Sequence, residues 1–295
     1  MLADLKLGPE YEGFLFLAES RHNPPVLKSH RHVELELNLV TQGSVTYVIS
    51  GHRYTFPRGS MLWIFPAQEH QLVDRTPDAK YYVTVFKPGL IERSCKGEMY
   101  APLKQESIEG EGVMSKVLQV EMYDLVLRTM DVLMEGSLEP EVLNREAGFG
   151  YESEFRYEHG DPDALNAGLR HLLVHCWKIF QSDGSGSSAI KLHPSVAKAL
   201  SLISDEGLFL SLSEIADRCG ISETYLSRLF KDQVGVPLNH YRNSARLRTF
   251  METYRQPPRK TILECVYAAG FGSYAQFYKV FMKTFGCGPR EYLKD

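Results

Sequence analysis

Two stretches in the last third of the chain decide the fold, because they follow the same order of residue types. Residues 212–222 read LSEIADRCGIS, and residues 261–273 read TILECVYAAGFGS. Each stretch predicts a short helix, a turn that opens on glycine, and a serine that starts a second helix. The second helices are predicted over residues 223–234 and 274–285, and they are closed by Gly235 and Gly286.

The residues around each turn have the side chains that such a turn requires. Ser213 and Ser222 are predicted N-caps, because a serine hydroxyl accepts hydrogen bonds from the free amides of a first helical turn. Gly220 and Gly270 are predicted just past the first helix of each pair, where the backbone needs a positive φ. A turn this short crosses two helices steeply, so each stretch predicts a helix-turn-helix.

Two tandem copies joined by a helix over residues 237–255 resemble the AraC family of transcription regulators. The resemblance covers residues 194–295 and is most specific in the tail, where the matching residues are Gly270, Phe271, Gly272, Ser273, Phe277, Phe281, Gly286, Pro289 and Tyr292. The family often has serine at the position of Ala275, arginine at that of Lys279 and a small residue at that of Phe250. The resemblance implies an all-α domain that binds double-stranded DNA in a sequence-specific way.

Helical spacing divides each second helix into a buried stripe and an outward face. The outward residues are Thr224, Ser227, Arg228 and Lys231 in the first copy and Tyr274, Ala275, Tyr278 and Lys279 in the second, and the resemblance implies that they contact DNA. An arginine can bind guanine through two hydrogen bonds, and alanine or tyrosine can contact a thymine methyl. The alternative is that these residues form a solvated helix face without a partner. Two matched helix-turn-helix copies argue against this alternative more strongly than a single copy does.

Further arginines lie in or near the linking helix, and they include Arg242, Arg246, Arg248 and Arg259. Arginines in this position serve either the phosphates of bound DNA, which supply affinity without sequence choice, or the packing of the two halves. The sequence leaves both roles open.

Charge is distributed unevenly along the 295 residues, which carry a net charge of -4. Residues 191–295 hold 15 basic and 10 acidic residues, whereas residues 104–160 hold 5 and 13. The basic C-terminal third therefore favours a nucleic-acid partner that the net charge alone would argue against. No apolar run reaches the ~18 residues of a membrane helix, so no membrane association is expected. Five scattered cysteines and the lack of a signal peptide predict a reduced, cytoplasmic protein.

The first hundred residues predict β structure. Apolar segments such as LELNL at residues 35–39 and VTYVI at residues 45–49 are separated by turn residues, which is typical of a sandwich or barrel. Helical periodicity then predicts helices over about residues 113–134 and 161–181. The acidic segment 138–160 between them is expected to be solvated or to contact the basic C-terminal third.

Polar residues in the first part of the chain resemble the two halves of a cupin signature, in the form that AraC-type regulators use as a sensor. They are His30, His32, Glu36, Gly43, Gly59 and His70, with departures from the signature at Pro24, Gln68 and Asp74. Three imidazoles and one carboxylate, those of His30, His32, Glu36 and His70, could hold Zn²⁺, Ni²⁺, Fe²⁺ or Mn²⁺. The alternatives are direct contact with an organic effector and polar residues at a barrel mouth.

The predicted fold class is therefore α+β. A cupin-like β-barrel over about residues 1–103, followed by helices over about residues 111–181, forms an effector-sensing and dimerisation domain (residues 1–181). Ser-Gly-rich residues 182–193 form a flexible linker. The all-α domain with two helix-turn-helix motifs covers residues 194–295.

This organisation predicts an effector-responsive transcription regulator that is not an enzyme. Inward alternation makes Asn38, Tyr47 and Trp63 candidates for contact with an effector such as a sugar or another small metabolite. The apolar stripes on the helices must bury against the barrel or against a second copy. The resemblance implies a homodimer through them, and RNA polymerase is a further partner if the protein is an activator. Two alternatives remain, namely a metal-dependent cupin enzyme fused to a DNA-binding module, and a regulator whose signal is the metal ion itself.

Overall fold

The computed structural model describes residues 5–19, 28–107, 112–137, 157–182, 190–205, 208–255, 258 and 260–293. They form two lobes, which we call the β lobe (residues 5–191) and the helical lobe (residues 192–293). Most of the acidic segment 138–160 lies outside the described residues, and so does Arg259. The predicted order, a β domain followed by helices and then by two helix-turn-helix motifs, is confirmed.

Nine strands among the described residues of the β lobe form two antiparallel sheets. They are β1 (Gly13–Glu19), β2 (Leu35–Gln42), β3 (Ser44–Ile49), β4 (His52–Pro57), β5 (Ser60–Ile64), β6 (His70–Arg75), β7 (Lys80–Phe86), β8 (Met114–Val117) and β9 (Ile190–Lys191). The larger sheet has the order β1-β7-β2-β5-β8, and the smaller sheet has the order β6-β3-β4-β9. The two sheets pack face to face through a buried apolar cluster that includes Val40, Tyr47, Phe56 and Leu62.

The larger sheet is buried on both faces, as the central strand β2 shows. Leu35, Leu37 and Leu39 point away from the smaller sheet and pack against helices, while Val40 joins the cluster between the sheets. Because successive side chains of a strand point to opposite faces, Glu36 and Asn38 also lie between the sheets. The apolar run in this sequence is thus a strand that is covered on both sides.

Helices cover the outer face of the larger sheet. They are α1 (Pro88–Ser94), a 3-10 helix (Glu98–Lys104), α2 (Val120–Met134) and α3 (Pro162–Gln181). The predicted helix over residues 161–181 is confirmed, and it starts where the Asp161 carboxylate accepts a hydrogen bond from the Ala164 amide. The Trp177 ring of α3 lies edge-on to Trp63 of β5, with ring centroids 5.7 Å apart.

The prediction of a helix that starts at residue 113 is wrong in its first turn. Residues 114–117 form β8, which pairs with β5 in the register Met61↔Lys116, and α2 begins only at Val120. The apolar spacing of this segment fits a helix, but the open edge of β5 offers backbone hydrogen bonds that a local pattern does not reveal. The Lys116 ammonium group also donates to the carbonyls of Ile179 and Phe180 at the end of α3.

The end of the predicted linker belongs to the β lobe. Residues 183–189 lie outside the described residues, but Ile190 and Lys191 pair with β4 at the edge of the smaller sheet. The Leu192 amide then donates to the Gly51 carbonyl. The linker prediction is therefore wrong for residues 190–192, because an unpaired sheet edge orders them.

The part of the helical lobe that the structure describes contains seven helices. They are α4 (Pro194–Asp205), α5 (Leu212–Cys219), α6 (Glu223–Val234), α7 (Leu238–Arg255), α8 (Ile262–Ala268), α9 (Tyr274–Phe285) and α10 (Pro289–Tyr292). Helices α5 and α6 form the first helix-turn-helix, α8 and α9 form the second, and α7 links them. None of the described helices is both long and apolar enough to cross a membrane.

Serine 211, and not Ser213, caps α5. The Ser211 hydroxyl accepts a hydrogen bond from the Glu214 amide, while the Glu214 carboxylate accepts one from the Ser211 amide. This reciprocal capping box needs a Glu three residues after the cap, and only the Ser211 position supplies it. The second motif has the same device at Thr261 and Glu264.

We expect Ser211→Ala to lower the free energy of opening of α5 by about 1 kcal/mol, because the mutation removes an N-cap. Native-state amide hydrogen exchange of residues 215–219 measures this change. Ser213→Ala is the matched control, and its exposed hydroxyl lies inside the first turn. Equal effects of the two substitutions would contradict the assignment of the cap.

Candidate nucleic-acid interface and histidine cluster

The first helix-turn-helix presents the predicted contact residues on its open face. Helix α5 ends at Gly220, whose φ is +74°, and the Ser222 hydroxyl accepts from the Tyr225 amide to start α6. Leu226, Phe230 and Val234 are buried in the lobe. The opposite face is available for a partner, with Thr224, Arg228 and Lys231 exposed and Ser227 half-buried.

The second helix-turn-helix repeats this arrangement. Gly270 has a φ of +80°, and a Cβ at this position would lie 2.6 Å from the Leu208 carbonyl oxygen, so a glycine is required. The Ser273 hydroxyl caps α9, whose residues Phe277 and Phe281 are buried. All four predicted contact residues of this helix are exposed, namely Tyr274, Ala275, Tyr278 and Lys279.

Tyr225 joins the candidate surface although the sequence analysis does not assign it a role. Its side chain is 40% exposed, and the Arg228 guanidinium carbon lies 5.4 Å from the centre of its ring. An aromatic ring under a guanidinium group helps to orient that group. The signal that could have identified Tyr225 is its position three residues before Arg228 on the same helix.

The buried arginines serve the packing of the two motifs. The Arg246 guanidinium group donates twice to the Leu208 carbonyl, at 2.9 and 2.5 Å, and lies 5.8 Å from the ring centre of Phe271. Arg242 donates to the Leu210 carbonyl at 2.7 Å. Burial and the neighbouring Arg242 lower the pKa of Arg246 to about 10. Arg248 is also fully buried, 3.6 Å from the Glu252 carboxylate.

Of the two roles open to the linking-helix arginines, the structure therefore places Arg242, Arg246 and Arg248 in the interior. Arg246 binds the loop before α5 and contacts the turn before α9, so it connects the two motifs. Phosphate contact remains a prediction for the exposed basic residues only.

The four residues predicted to bind a metal lie together between the two sheets. One ring nitrogen from each of His30, His32 and His70 lies within 4.8 Å of the others. The Glu36 carboxylate lies 3.0 Å from His32 Nε2 and 3.6 Å from His70 Nε2. We call this group the histidine cluster, and each of its four residues is at most 3% exposed.

Backbone carbonyls orient the three imidazole rings. His30 Nδ1 lies 2.8 Å from the Lys28 carbonyl, His32 Nδ1 lies 3.0 Å from that of Glu34, and His70 Nδ1 lies 3.0 Å from that of Gln68. Because a carbonyl oxygen can only accept, each Nδ1 carries a proton. The Nε2 atoms are therefore the groups that face the cluster, which is the arrangement found in metal-ligating histidines.

Burial and the contacts within the cluster shift the pKa values of its residues. Burial and the adjacent His70 lower the pKa of His30 well below its usual value. Burial also disfavours the charged forms of His32 and Glu36, but polar neighbours outweigh it for both. The hydrogen bond with Glu36 raises the pKa of His32, and His70 together with His32 holds the pKa of Glu36 well below its usual value.

The three residues predicted to contact an effector lie in three different settings. The Asn38 amide is fully buried and donates to Glu36 Oε1 at 2.7 Å, so Asn38 orients the carboxylate of the cluster. Tyr47 packs against Phe56 in the apolar core between the sheets. Trp63 requires a correction, because strand alternation turns it to the helix-covered face, where it contacts Trp177.

A cavity of about 370 Å³ opens beside the cluster. Its walls come from the segment before β2, from α1 and from the end of the 3-10 helix, and they include Arg31, His32, Leu35, Ile91, Leu103 and Lys104. The floor is apolar and the rim is charged. His32 thus links this cavity to the cluster.

Comparison with known proteins identifies both parts of the chain. The family described as the AraC-like ligand binding domain matches residues 15–122, and a helix-turn-helix domain matches residues 215–295. The melibiose operon regulatory protein of Escherichia coli K12 is 19% identical over 313 aligned positions, which cover 98% of this chain and 90% of that protein. The putative regulator YkgA of the same organism is 34% identical over 83 residues, and the match spans 28% of this chain and only 34% of YkgA.

Two of the solved structures with some similarity are the following. ToxT of Vibrio cholerae, in a structure with bound unsaturated fatty acid, has a TM-score of 0.35 and 14% identity, and the match covers 95% of this chain and 94% of ToxT. The C-terminal domain of AraT from Geobacillus stearothermophilus has a TM-score of 0.33 and 25% identity, over 36% of this chain and 88% of that domain.

A pair of helix-turn-helix motifs on one linking helix, preceded by a two-sheet lobe with a buried polar cluster, defines a two-lobed transcription regulator. The chain belongs to the AraC-type transcriptional regulators, as the two family matches show. The probable transcription factor PqrA of Proteus vulgaris is also 31% identical over 88 residues, which cover 29% of this chain and 70% of PqrA.

Proposed function

We propose that this chain binds specific double-stranded DNA through α6 and α9 and that a small molecule or ion in the β lobe controls this binding. The observation that carries the proposal is the repeated presentation of polar and aromatic side chains on two capped helices whose other faces are buried. Because its proposed partner is DNA, we infer that the protein acts in the cytoplasm.

DNA would be read by two helices in successive major grooves, which lie about 34 Å apart on one side of the duplex. Arg228 is the candidate for a paired hydrogen bond to guanine, and Tyr274 and Ala275 are candidates for contact with thymine methyl groups. Lys231 and Lys279 supply positive charge close to the phosphates. Thr224, Ser227 and Tyr278 complete the proposed contact set.

We expect Arg228→Ala to weaken binding to the preferred DNA by about tenfold to a hundredfold and to relax the base preference at one position, since one bidentate contact contributes about 1–3 kcal/mol. Gel-shift titration of full-length protein, with DNA obtained by in vitro selection, measures both effects. Arg170→Ala, which removes an exposed arginine from α3 in the β lobe, is the matched control. Unchanged affinity and base preference in Arg228→Ala would refute the assignment.

We further propose a divalent metal ion in the histidine cluster. The donor set fits, because three Nε2 atoms and one carboxylate converge and the Nδ1 atoms are already held by carbonyls. Such a set suits Zn²⁺, Ni²⁺, Fe²⁺ or Mn²⁺. His30, His32, His70 and Glu36 would hold the ion, and Asn38 would orient the carboxylate.

The cluster also favours the second candidate function, a metal-dependent enzyme fused to a DNA-binding module. We favour regulation without catalysis, because the relatives are transcription regulators. The ion would then hold the cluster together or be the signal itself. An organic effector, such as a sugar or another small metabolite, would occupy the cavity that reaches His32.

We expect wild-type protein to bind Co²⁺ or Zn²⁺ at one ion per chain and His32→Ala to bind it at least about tenfold more weakly, because a ligand is lost. Visible absorption of Co²⁺ and elemental analysis measure this binding. His171→Ala, which removes an exposed histidine from α3, should bind like wild type. Equal metal content in His32→Ala would exclude this site, and turnover in an oxygenase or isomerase screen would favour the enzyme.

The protein is proposed to form a homodimer through α2. Apolar side chains at helical spacing remain exposed on this helix, with Met122 at 38%, Leu125 at 43% and Val132 at 61% exposure. Residues that are three and seven positions apart lie on the same face of a helix, so these three side chains form one exposed apolar stripe. If the protein activates transcription, RNA polymerase is a further partner.

We expect Leu125→Asp to shift the protein toward monomer, because a charge in the centre of the stripe would be buried without a partner. Sedimentation equilibrium of the full chain measures the dimer fraction. Val33→Asp, at a similarly exposed valine of the β lobe, is the control. A wild-type monomer at high concentration, or a Leu125→Asp dimer, would contradict this interface.

A further inference from the structure

Strand β6 has the histidine cluster on one face and the helical lobe on the other. His70 belongs to the cluster, while the next residue, Gln71, points the opposite way and donates to the Tyr241 hydroxyl at 2.6 Å. The Gln71 amide also reaches the Ser204 hydroxyl at 3.3 Å. Val73, on the same outer face, is buried in the core of the helical lobe. The two lobes therefore share this strand as a common wall.

A second connection starts at His30. The Lys28 carbonyl accepts from His30 Nδ1 at 2.8 Å, and the Lys28 ammonium group lies 3.8 Å from the Glu252 carboxylate of α7. His30 and His70 are also joined through their backbones, with N···O distances of 3.1 and 2.8 Å. Backbone hydrogen bonds thus tie His30 to His70. His70 precedes Gln71, His30 is hydrogen-bonded to Lys28, and both Gln71 and Lys28 contact α7.

Helix α7 is the element that both helix-turn-helix motifs share. Tyr241 lies near its start, is fully buried and packs against Phe230 of α6, with ring centroids 5.4 Å apart. Arg246 in its middle joins the loop before α5 to the turn before α9. A displacement of α7 relative to β6 therefore changes the positions of both candidate DNA-reading helices.

We propose that Gln71 and Lys28 are positioning residues that couple the occupancy of the histidine cluster to the placement of α7 and so to DNA affinity. Gln71 and Tyr241 are both buried, and a buried hydrogen bond that is broken without replacement is unfavourable. A ligand that pulls His70 and His30 together therefore shifts α7 with them. This inference rests on the proposed regulatory function and names the route of the regulation.

The coupling is tested on the full chain with Zn²⁺ alone as the probe. We expect Zn²⁺ to change the Kd for selected DNA by about tenfold in wild type, a usual size for coupling between two sites. In Gln71→Ala and Tyr241→Phe this ratio should fall close to one, while Zn²⁺ binding and the Kd without Zn²⁺ stay within about threefold of wild type. Gln181→Ala, at an exposed glutamine at the end of α3, should behave like wild type.

Exchange of charge tests the second connection. Lys28→Glu and Glu252→Lys should each reduce the Zn²⁺ dependence of the Kd, and the double variant should regain part of it. Full Zn²⁺ dependence in Gln71→Ala together with Lys28→Glu would overturn the proposal, as would bound Zn²⁺ with no effect on the Kd of wild type.

A third measurement needs neither metal nor DNA, so it separates the coupling from the proposed function. We expect His70→Ala to raise the amide hydrogen exchange of residues 238–242 severalfold, and Gln71→Ala to raise it without a further increase in the His70→Ala background. Unchanged exchange in His70→Ala, or additive effects, would overturn the coupling. If no metal binds but the exchange behaves as expected, the metal proposal fails and the coupling stands.

Discussion

The larger sheet of the β lobe and strand β6 of the smaller sheet are covered on both faces, and this constraint decides where the functional groups of the β lobe can lie. A strand that has two buried faces must divide its side chains between two different interiors. In β2 this division puts leucines under the helices and the carboxylate of Glu36 between the sheets. In β6 it puts His70 inside and Gln71 against the helical lobe. The polar cluster, the helical cover and the contact between the lobes all follow from the same alternation.

The helical lobe depends on a different interaction, in which side chains form hydrogen bonds with backbone amides and carbonyls. Ser211, Ser222, Thr261 and Ser273 satisfy amides at the starts of four helices. The guanidinium group of Arg246 satisfies a carbonyl in the loop before α5 and also lies against Phe271. These interactions lie at the helix ends or inside the lobe. The outward faces of α6 and α9 therefore remain available for other contacts.

Features that depend on neighbouring residues could be predicted from the sequence. The glycines at the turns, the serines before α6 and α9, and the spacing of Phe277 and Phe281 all act within one or two helical turns. The histidine cluster was also accessible, because His30, His32 and Glu36 lie close together in the chain at a recognisable spacing. Its fourth member, His70, required only that two strands be neighbours.

Features that depend on distant partners could not be predicted. Residues 114–117 have helical spacing, but they pair with the edge of β5. The sequence predicts that Trp63 lies between the two sheets. Because neighbouring residues of a strand point to opposite faces, an error of one residue puts a side chain on the wrong face. Trp63 lies on the outer face of its sheet, where it contacts Trp177. The role of Gln71 depends on Tyr241, which lies 170 positions away in the chain. No local pattern carries information about such a contact.

The short strand β9 has a consequence for how this chain can exchange parts with its relatives. Residues 190–191 extend the smaller sheet immediately before the helical lobe begins, and Val73 of the β lobe is buried in the helical lobe's core. The two lobes are therefore not independent modules on a tether. A chimera that joins this helical lobe to another sensor must also reproduce the β4 edge and the outer face of β6. We expect residues on the two sides of the contact between the lobes to change together in evolution.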